Sequence, residues 1–551
     1  MTMLLMLAPV LIPLGGAAIF GLAGWRTATV WVSACSAAAV LAAAIGIAGT
    51  VSTGGPRTAV GGLLAVDALS AFMLIVIGAV ALVATVATPA HLRAELAAGR
   101  TDRRTCTQHS ILVQLFLAAM ALAVVAGSLG VLWVAIEATT VVTAFLVGQH
   151  RGRGAVEAAW KYVIICSTGI ALALLGTFLL NYAARHAPTP AGLDWVSLTA
   201  AAPFLDPGVT RIAVLLLVLG FGTKAGLAPL HAWLPDAHSQ APAPVSALMS
   251  GVLISVAFYA ILRVKIITDA ALGPDFARAL LLVLSLTSIA IAASLLLAQK
   301  DYKRMLAYSS IENMGLLALG AAIGSPLAVT AVLLHVLGHG LAKSVLFLSA
   351  GRVLQLTGTS YIDRVRGLAA RDPVLAGCLG FGVLAIIALP PFSLFASELG
   401  IATAGFAGGL GWATTAALIL VLVIAAALVG HTSRMLLGAP EQDPALSPAD
   451  RRSERPAPVA AANAAGGAAD RTGPNDGTRG PVGKPGGAAS GAVVTVAPPV
   501  STSRSGGSRR RGADNYAMIA ALIVCGVLGL TLGPLAPLME QATAIVTGLA
   551  P

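Results

Sequence analysis

Apolar stretches of about 20 residues, the length a helix needs to cross the hydrocarbon core of a bilayer, recur along nearly the whole chain. Fourteen can be counted, centred near Pro13, Val40, Ile77, Ala119, Ile136, Leu172, Gly222, Leu253, Ser288, Leu316, Leu341, Ile387, Leu422 and Gly526. In lipid every backbone polar group must be paired within the protein, which leaves helices or closed barrels. Long apolar runs without period-two alternation specify helices. Hydrophobic residues make up 57% of the chain and charged residues 10%, against about 25% charged in soluble domains. The expected fold is an all-α polytopic membrane protein of about 14 transmembrane helices.

Loop charges set an orientation. The loops after spans 1, 3, 5, 7, 9 and 11 hold fifteen lysines and arginines, and the opposite loops hold six, Arg263 and Lys265 among them. By the positive-inside rule the richer side is cytoplasmic and both termini lie outside. The N-terminal segment Met1–Gly24 lacks a basic leader and a clear cleavage site, so it reads as a first membrane helix rather than a signal peptide. Residues 439–514 break the apolar pattern. They are rich in Pro, Gly, Ala, Ser and Arg and hold no aromatic residue, so they are expected to form a disordered cytoplasmic loop. Arg509, Arg510 and Arg511 end it, either as a plain topogenic signal or as a contact for anionic lipid. The expected organisation is 1–105 for helices 1–3, 106–265 for helices 4–8, 275–438 for helices 9–13, then the loop, then a final helix in 515–551.

Charges inside the spans narrow the function. An ionisable residue at membrane depth is costly and by default functional. Lys224 lies within span 7 and is followed by Pro229 and Pro235, each of which removes a backbone donor and breaks the helix. Glu398 follows Pro390–Pro391 in span 12. The two broken spans lie five apart and so cross in opposite directions, which points to two inverted five-helix units, spans 4–8 and 9–13. Glu137, near the centre of span 5, has no cation within one turn. Lys224 is its candidate partner, either as a structural pair or as part of an ion path. His335, His339 and Lys343 fall at i, i+4 and i+8 in span 11, on one face over about 12 Å of helix. That is a ladder of titratable groups suited to moving protons. Glu312, early in span 10, is either a solvated interfacial carboxylate or a member of the same path. His231, Asp236 and His238 imitate a metal set, but their spacing straddles a proline and lacks a fourth ligand, so a structural loop is the expectation.

No cofactor is expected. The five cysteines, Cys35, Cys106, Cys166, Cys378 and Cys525, show no C-x-x-C spacing, so no iron–sulfur or zinc set is formed. No phosphate loop or dinucleotide fingerprint follows a strand pattern. Any redox chemistry must run in another subunit. The net charge of +11 reflects loop arginines at a membrane surface and not a nucleic-acid site.

Three stretches carry a family resemblance: Lys224–Gly251 (KAGLAPLHAWLPDAHSQAPAPVSALMSG), Asp301–Gly315 (DYKRMLAYSSIENMG) and Leu333–Val353 (LLHVLGHGLAKSVLFLSAGRV). Together they resemble the antiporter-like membrane subunits of respiratory complex I and its membrane-bound hydrogenase relatives. LPDAH, SSIENMG and PPFSLFASE resemble the component F membrane proteins of hydrogenase 4 and formate hydrogenlyase more closely than the quinone-linked enzyme. The resemblance implies fourteen helices with two inverted five-helix bundles, spans 7 and 12 broken, and proton translocation along buried charges. It implies Glu137 and Lys224 as a central pair, His335, His339 and Lys343 as the connecting axis, and Glu398 as the exit group. It also implies other membrane subunits and cytoplasmic redox subunits as partners, in a bacterial plasma membrane.

Two departures are legible. Complex I relatives often hold a second lysine in span 8, where this chain has Ser255. The axis is then either bridged there by water or interrupted. The chain also ends soon after span 14, without the long lateral helix of the most distal complex I subunit. The competing readings are a subunit of NADH–quinone oxidoreductase or of a multi-subunit sodium/proton antiporter, and, in a different class, a membrane anchor that has lost transport.

Overall fold

The computed structural model describes residues 2–438 and 512–548. Thirteen helices in it are long and apolar enough to cross a membrane. In order they involve α1 (Thr2–Ala23), α2 (Val32–Gly54), α3 (Ala68–Ala97), α4 (Arg103–Val124), α5 (Leu129–Val147), α6 (Arg153–Arg185), the short α7 (Trp195–Ala201), α8 (Pro207–Ala225), α9 (Trp233–Gln240), α10 (Ala243–Leu248), α11 (Ile254–Leu272), α12 (Pro274–Leu297), α13 (Tyr302–Ile323) and α14 (Pro326–Thr357). The short α15 (Leu368–Arg371), α16 (Pro373–Ile386), α17 (Ser393–Ala407), α18 (Gly411–Leu436), α19 (Gly512–Leu530) and α20 (Ala536–Thr547) follow. The remaining span is the pair α16–α17, interrupted at Leu389–Phe392 where Pro390 and Pro391 stand.

Helix starts follow from local chemistry. The side chains of Asp67, Asp102, Ser128, Asp206, Asp301, Ser325 and Asp372 each accept a hydrogen bond from the backbone N–H three residues on. This satisfies one of the donors a helix start leaves unpaired. The break after α8 ends on Gly226 at φ 80°, a left-handed conformation that glycine reaches without a Cβ penalty.

Spans 4–8 run from α4 to α11 and spans 9–13 from α12 to α18, each group with a broken member. Several bounds differ from expectation. α4 begins at Arg103, three residues before 106, because Asp102 caps it. α11 runs on to Leu272, past the expected 265. α19 starts at Gly512 and not at 515. The rest of the expected loop lies outside the described residues. The C-terminal segment holds two helices in place of the one expected, because Gly533, Pro534 and Pro537 interrupt it. A short hairpin, β1 (Arg57–Ala59) with β2 (Leu64–Val66), also interrupts the all-helical pattern.

α11, α13 and α14 form the centre, and the membrane-crossing windows of α13 and α14 are wholly buried. Small residues let these helices meet. A Cβ on Gly251 would lie 3.0 Å from the Gly340 carbonyl oxygen, and one on Gly340 would lie 2.9 Å from that of Gly251. Close backbone approach of this kind is how membrane helices pack without a hydrophobic driving force. Between α10 and α11, Met249–Leu253 is π-helical, a local widening that leaves backbone groups less tightly paired and recurs at functional sites. Arg263, counted among loop charges on sequence, is buried and forms a forked pair with Asp67 at 2.6 and 2.7 Å. Burial would raise the Asp67 carboxyl, but the guanidinium and the Ser70 hydrogen bonds outweigh it and hold it below its ordinary range.

Candidate functional site: a line of buried polar groups

In the first unit, Lys224 is the penultimate residue of α8 and is fully buried. Its ammonium donates to Thr140 Oγ1 at 2.8 Å and to the Tyr162 hydroxyl. It also lies 4.7 Å from the centre of the Tyr162 ring, a favourable cation–π contact once desolvated. Tyr162 is braced edge-on by Trp233, whose indole donates to Thr223 O at 2.9 Å across the helix break. The expected contact with Glu137 is not made. No Glu137–Lys224 ion pair within 4.0 Å is present among the described residues, and Glu137 Oε2 is buried without a partner. The reason is geometric. Thr140 sits one turn along α5 on the same face and takes the ammonium that Glu137 would otherwise hold. Glu137 is half-buried, at the edge of an outward strip formed by Val134, Val141 and Phe145.

The second unit is denser. His335, His339 and Lys343 of α14 are all fully buried, and the two imidazoles stack at 6.2 Å between centres. Lys343 Nζ donates to Leu306 O at 2.7 Å and to Ser309 Oγ on α13. Glu312 lies midway along α13 and is only 2% exposed. The interfacial, solvated alternative is therefore wrong for it, since every residue of α13 around it is covered. Glu312 accepts a hydrogen bond from Asn313 Nδ2. The other proton of that amide goes to Ser309 O at 2.7 Å, and Asn313 Oδ1 faces His335 Nε2 at 3.0 Å. Both amide protons are thus used, so Oδ1 must accept, and His335 must carry its proton on Nε2. On its other edge His335 Nδ1 meets Ser397 Oγ of α17 at 2.9 Å. That hydroxyl has a second acceptor, Leu394 O, also at 2.9 Å.

The geometry gives the Ser397 hydroxyl two states. When His335 is neutral, the hydroxyl donates to Nδ1. When His335 is doubly protonated, Nδ1 donates and the hydroxyl turns to Leu394 O. Ser397 thus joins the His335 ring on α14 to α17, one residue from Glu398. Glu398 is half-buried, with Oε1 unpartnered, beside the exposed Phe395 and Leu399. His339 has neither ring nitrogen partnered.

Between the units, Ser250 Oγ in the π-helical turn meets Ser310 Oγ at 2.8 Å. Ser255 is buried and reaches only Gly251 O, at 3.4 Å. Asp236 pairs with Lys161 at 3.0 Å and Arg304 at 3.3 Å, which ties α9 to α6 and α13. His238 stacks on Phe347. Thr140, Tyr162, Ser309, Asn313 and Ser397 are not singled out by the sequence. The available signal is the polar run Ser309, Ser310, Glu312 and Asn313 inside an otherwise apolar span.

A helical, multi-pass membrane protein with two broken-helix units and a line of buried charges defines a class of antiporter-like membrane subunits. A family model described as NADH:quinone oxidoreductase/Mrp antiporter, TM, matches residues 126–424. The chain belongs to this family of antiporter-like subunits of complex I and membrane-bound hydrogenases. It is 38% identical over 351 residues to the Hydrogenase-4 component F homolog of Methylacidiphilum infernorum (isolate V4), covering 63% of this chain and 73% of the relative. It is 32% identical over 405 residues to NADH-quinone oxidoreductase subunit N of Desulforudis audaxviator (strain MP104C), covering 72% of this chain and 76% of the relative. A chain in the structure of the Mrp complex from Dietzia sp. DQ12-45-1b aligns over 99% of both chains at 22% identity with a TM-score of 0.75, a likeness of fold.

Proposed function

We propose that this chain is a proton-translocating membrane subunit of a hydrogenase-4-like complex, with Glu137, Lys224, Lys343, His339, His335, Glu312 and Glu398 as its proton-bearing groups. The observation that carries the proposal is the polar chain Lys343–Ser309 and Glu312–Asn313–His335–Ser397 at the centre of two fully buried helices. Buried charge of this density is kept only where it pairs or lines a path. The Ser250–Ser310 hydroxyl pair stands in for the absent span-8 lysine and links the halves. Residues 106–265 and 275–438 act as the two half-channels. Glu137 and Glu398, each half-buried at an outer flank, face neighbouring membrane subunits. Redox subunits dock on the cytoplasmic side of a bacterial plasma membrane, with both termini outside. The relatives named for hydrogenase-4 and NADH–quinone complexes favour this setting.

The test is purification from the native membrane, with identification of the co-purifying subunits and measurement of proton pumping in sealed vesicles. Lys224→Ala or Glu137→Ala should reduce pumping while electron transfer to artificial acceptors persists. Unchanged pumping in both variants would show that neither group carries protons. In a variant without native cysteines, a cysteine at Ser490 should be labelled only when the cytoplasmic face is open.

A further inference from the structure

A cavity of about 360 Å³ lies where α3, α10, α14 and α19 meet beside the Asp372 cap of α16, on the face that the proposed orientation makes cytoplasmic. Most of its wall is apolar, with Leu348, Leu356 and Met518 among the lining side chains. Its charged rim is balanced, Arg93 and Arg352 against Asp372 and Asp514. Arg352 is already engaged by Asp372 at 3.2 Å and by Asn515. A balanced rim does not select a strong anion, but it admits water.

The back wall is different. His91 and Gln355 line the cavity. Gln355 Nε2 donates to His91 Nδ1 at 3.0 Å and to Glu95 Oε1 at 3.0 Å. Glu95 is 7% exposed and accepts both arms of Arg100 at 2.8 Å. Arg100 therefore keeps Glu95 ionised, and Glu95 supplies a fixed negative charge behind His91. Turning the Gln355 amide over would present its oxygen to a protonated Nδ1, at the cost of its hydrogen bond to Glu95. His91 Nε2 is buried and unpartnered. His109 of α4 and His150 beyond α5 lie within electrostatic reach. So does Lys303 of α13, which is buried at 3% exposure and donates to Ser239 O at 2.7 Å and Ala241 O at 3.0 Å. His238, one residue before Ser239, feels the charges of both Lys303 and Lys343.

We propose that this cavity is the inlet through which protons reach the buried line, with His91 taking the proton from water and Glu95 balancing the imidazolium. The inference rests on the translocation reading above. In each step one proton moves. Water in the cavity gives a proton to the His91 imidazole and leaves hydroxide to the bulk. The imidazolium then releases it toward the interior and returns to neutral.

The test uses the assembled complex in inverted native-membrane vesicles, with proton pumping driven by its own redox reaction. Compared are wild type, Lys224→Ala, His91→Ala, His91→Gln and Glu95→Gln. His91→Ala and His91→Gln should both lower pumping per electron by about tenfold or more. Imidazole added on the cytoplasmic face should restore His91→Ala, because the cavity has room for it, and should leave Lys224→Ala unrestored. Normal pumping in His91→Ala and Glu95→Gln alongside loss in Lys224→Ala would overturn the inlet and leave the translocation reading standing. Recovery in His91→Gln without imidazole would assign His91 a packing role and overturn the inlet. Wild-type pumping that none of the substitutions alters, or an absence of pumping, would overturn both.

Discussion

The two halves of the buried line hold their charges in opposite ways. In the first unit a single ammonium is seated by neutral partners, a threonine and a tyrosine, while its candidate counter-ion stands apart and half-exposed. In the second unit every charged group but Glu398 sits within a packed scaffold, and a carboxamide and two hydroxyls join several of them. The difference follows from position. α5 and α6 form an outer flank with exposed apolar side chains, whereas α13 and α14 are surrounded by protein. A flank group can be reached by a neighbouring subunit and be left unpaired until then. A central charge must be satisfied within the chain, because an unpaired buried charge is far costlier than a paired one.

The largest effect that tests this contrast is at the scaffolded lysine. Lys343→Met removes the charge held by Leu306 O and Ser309 and should abolish the subunit's share of pumping, a loss of at least about tenfold or about 1.4 kcal/mol. Pumping by reconstituted complex near the wild-type rate would break the contrast. Next is Glu398. Glu398→Gln keeps shape and removes titration, and should lose the pumping contribution. Glu398→Asp keeps titration on a shorter arm and should retain part of it. Equal pumping by wild type and the glutamine variant in vesicles would leave Glu398 a packing residue.

Ser397→Ala sharpens the comparison further. It removes the hydroxyl that answers to His335 but leaves both carboxylates. Pumping should fall by several-fold with assembly intact, since a buried hydrogen bond is worth about 1 kcal/mol. An unchanged rate with an unchanged dependence on pH would show that α17 does not respond to His335. The smallest effect is expected at Thr140→Val. Without its acceptor the ammonium of Lys224 should turn toward Glu137. A structure of the variant should show an N–O distance inside ion-pair range, with pumping within about twofold of wild type. Retention of the open arrangement would mean that Tyr162 alone positions the lysine.

The spans and breaks were legible because apolar length and proline act locally. The charged groups were legible because a charge in an apolar run costs enough to stand out. The neutral groups around them were not. Thr140, Asn313 and Ser397 are cheap to insert and resemble ordinary helix residues, so only the packing shows which of them touch a charge. The Glu137–Lys224 pair misled for the same reason: the sequence carries the signs of the charges and not the distance between helices. The π-helical turn at Met249–Leu253 leaves no trace in an apolar run, and α20 depended on prolines that read equally well as a loop.

α14 carries 32 residues, which at about 1.5 Å each makes a rod of about 48 Å, longer than the hydrocarbon core it crosses. Its mid-section holds His335, His339 and Lys343, and its protruding end holds Arg352 and Gln355 at the cavity. No proline interrupts it after its first turn, so it transmits twist as one body. Any rotation that re-aims the imidazoles also swings Gln355 against His91. The mouth and the interior of this protein are thereby set on a common shaft, and neither can be re-aimed without the other turning with it.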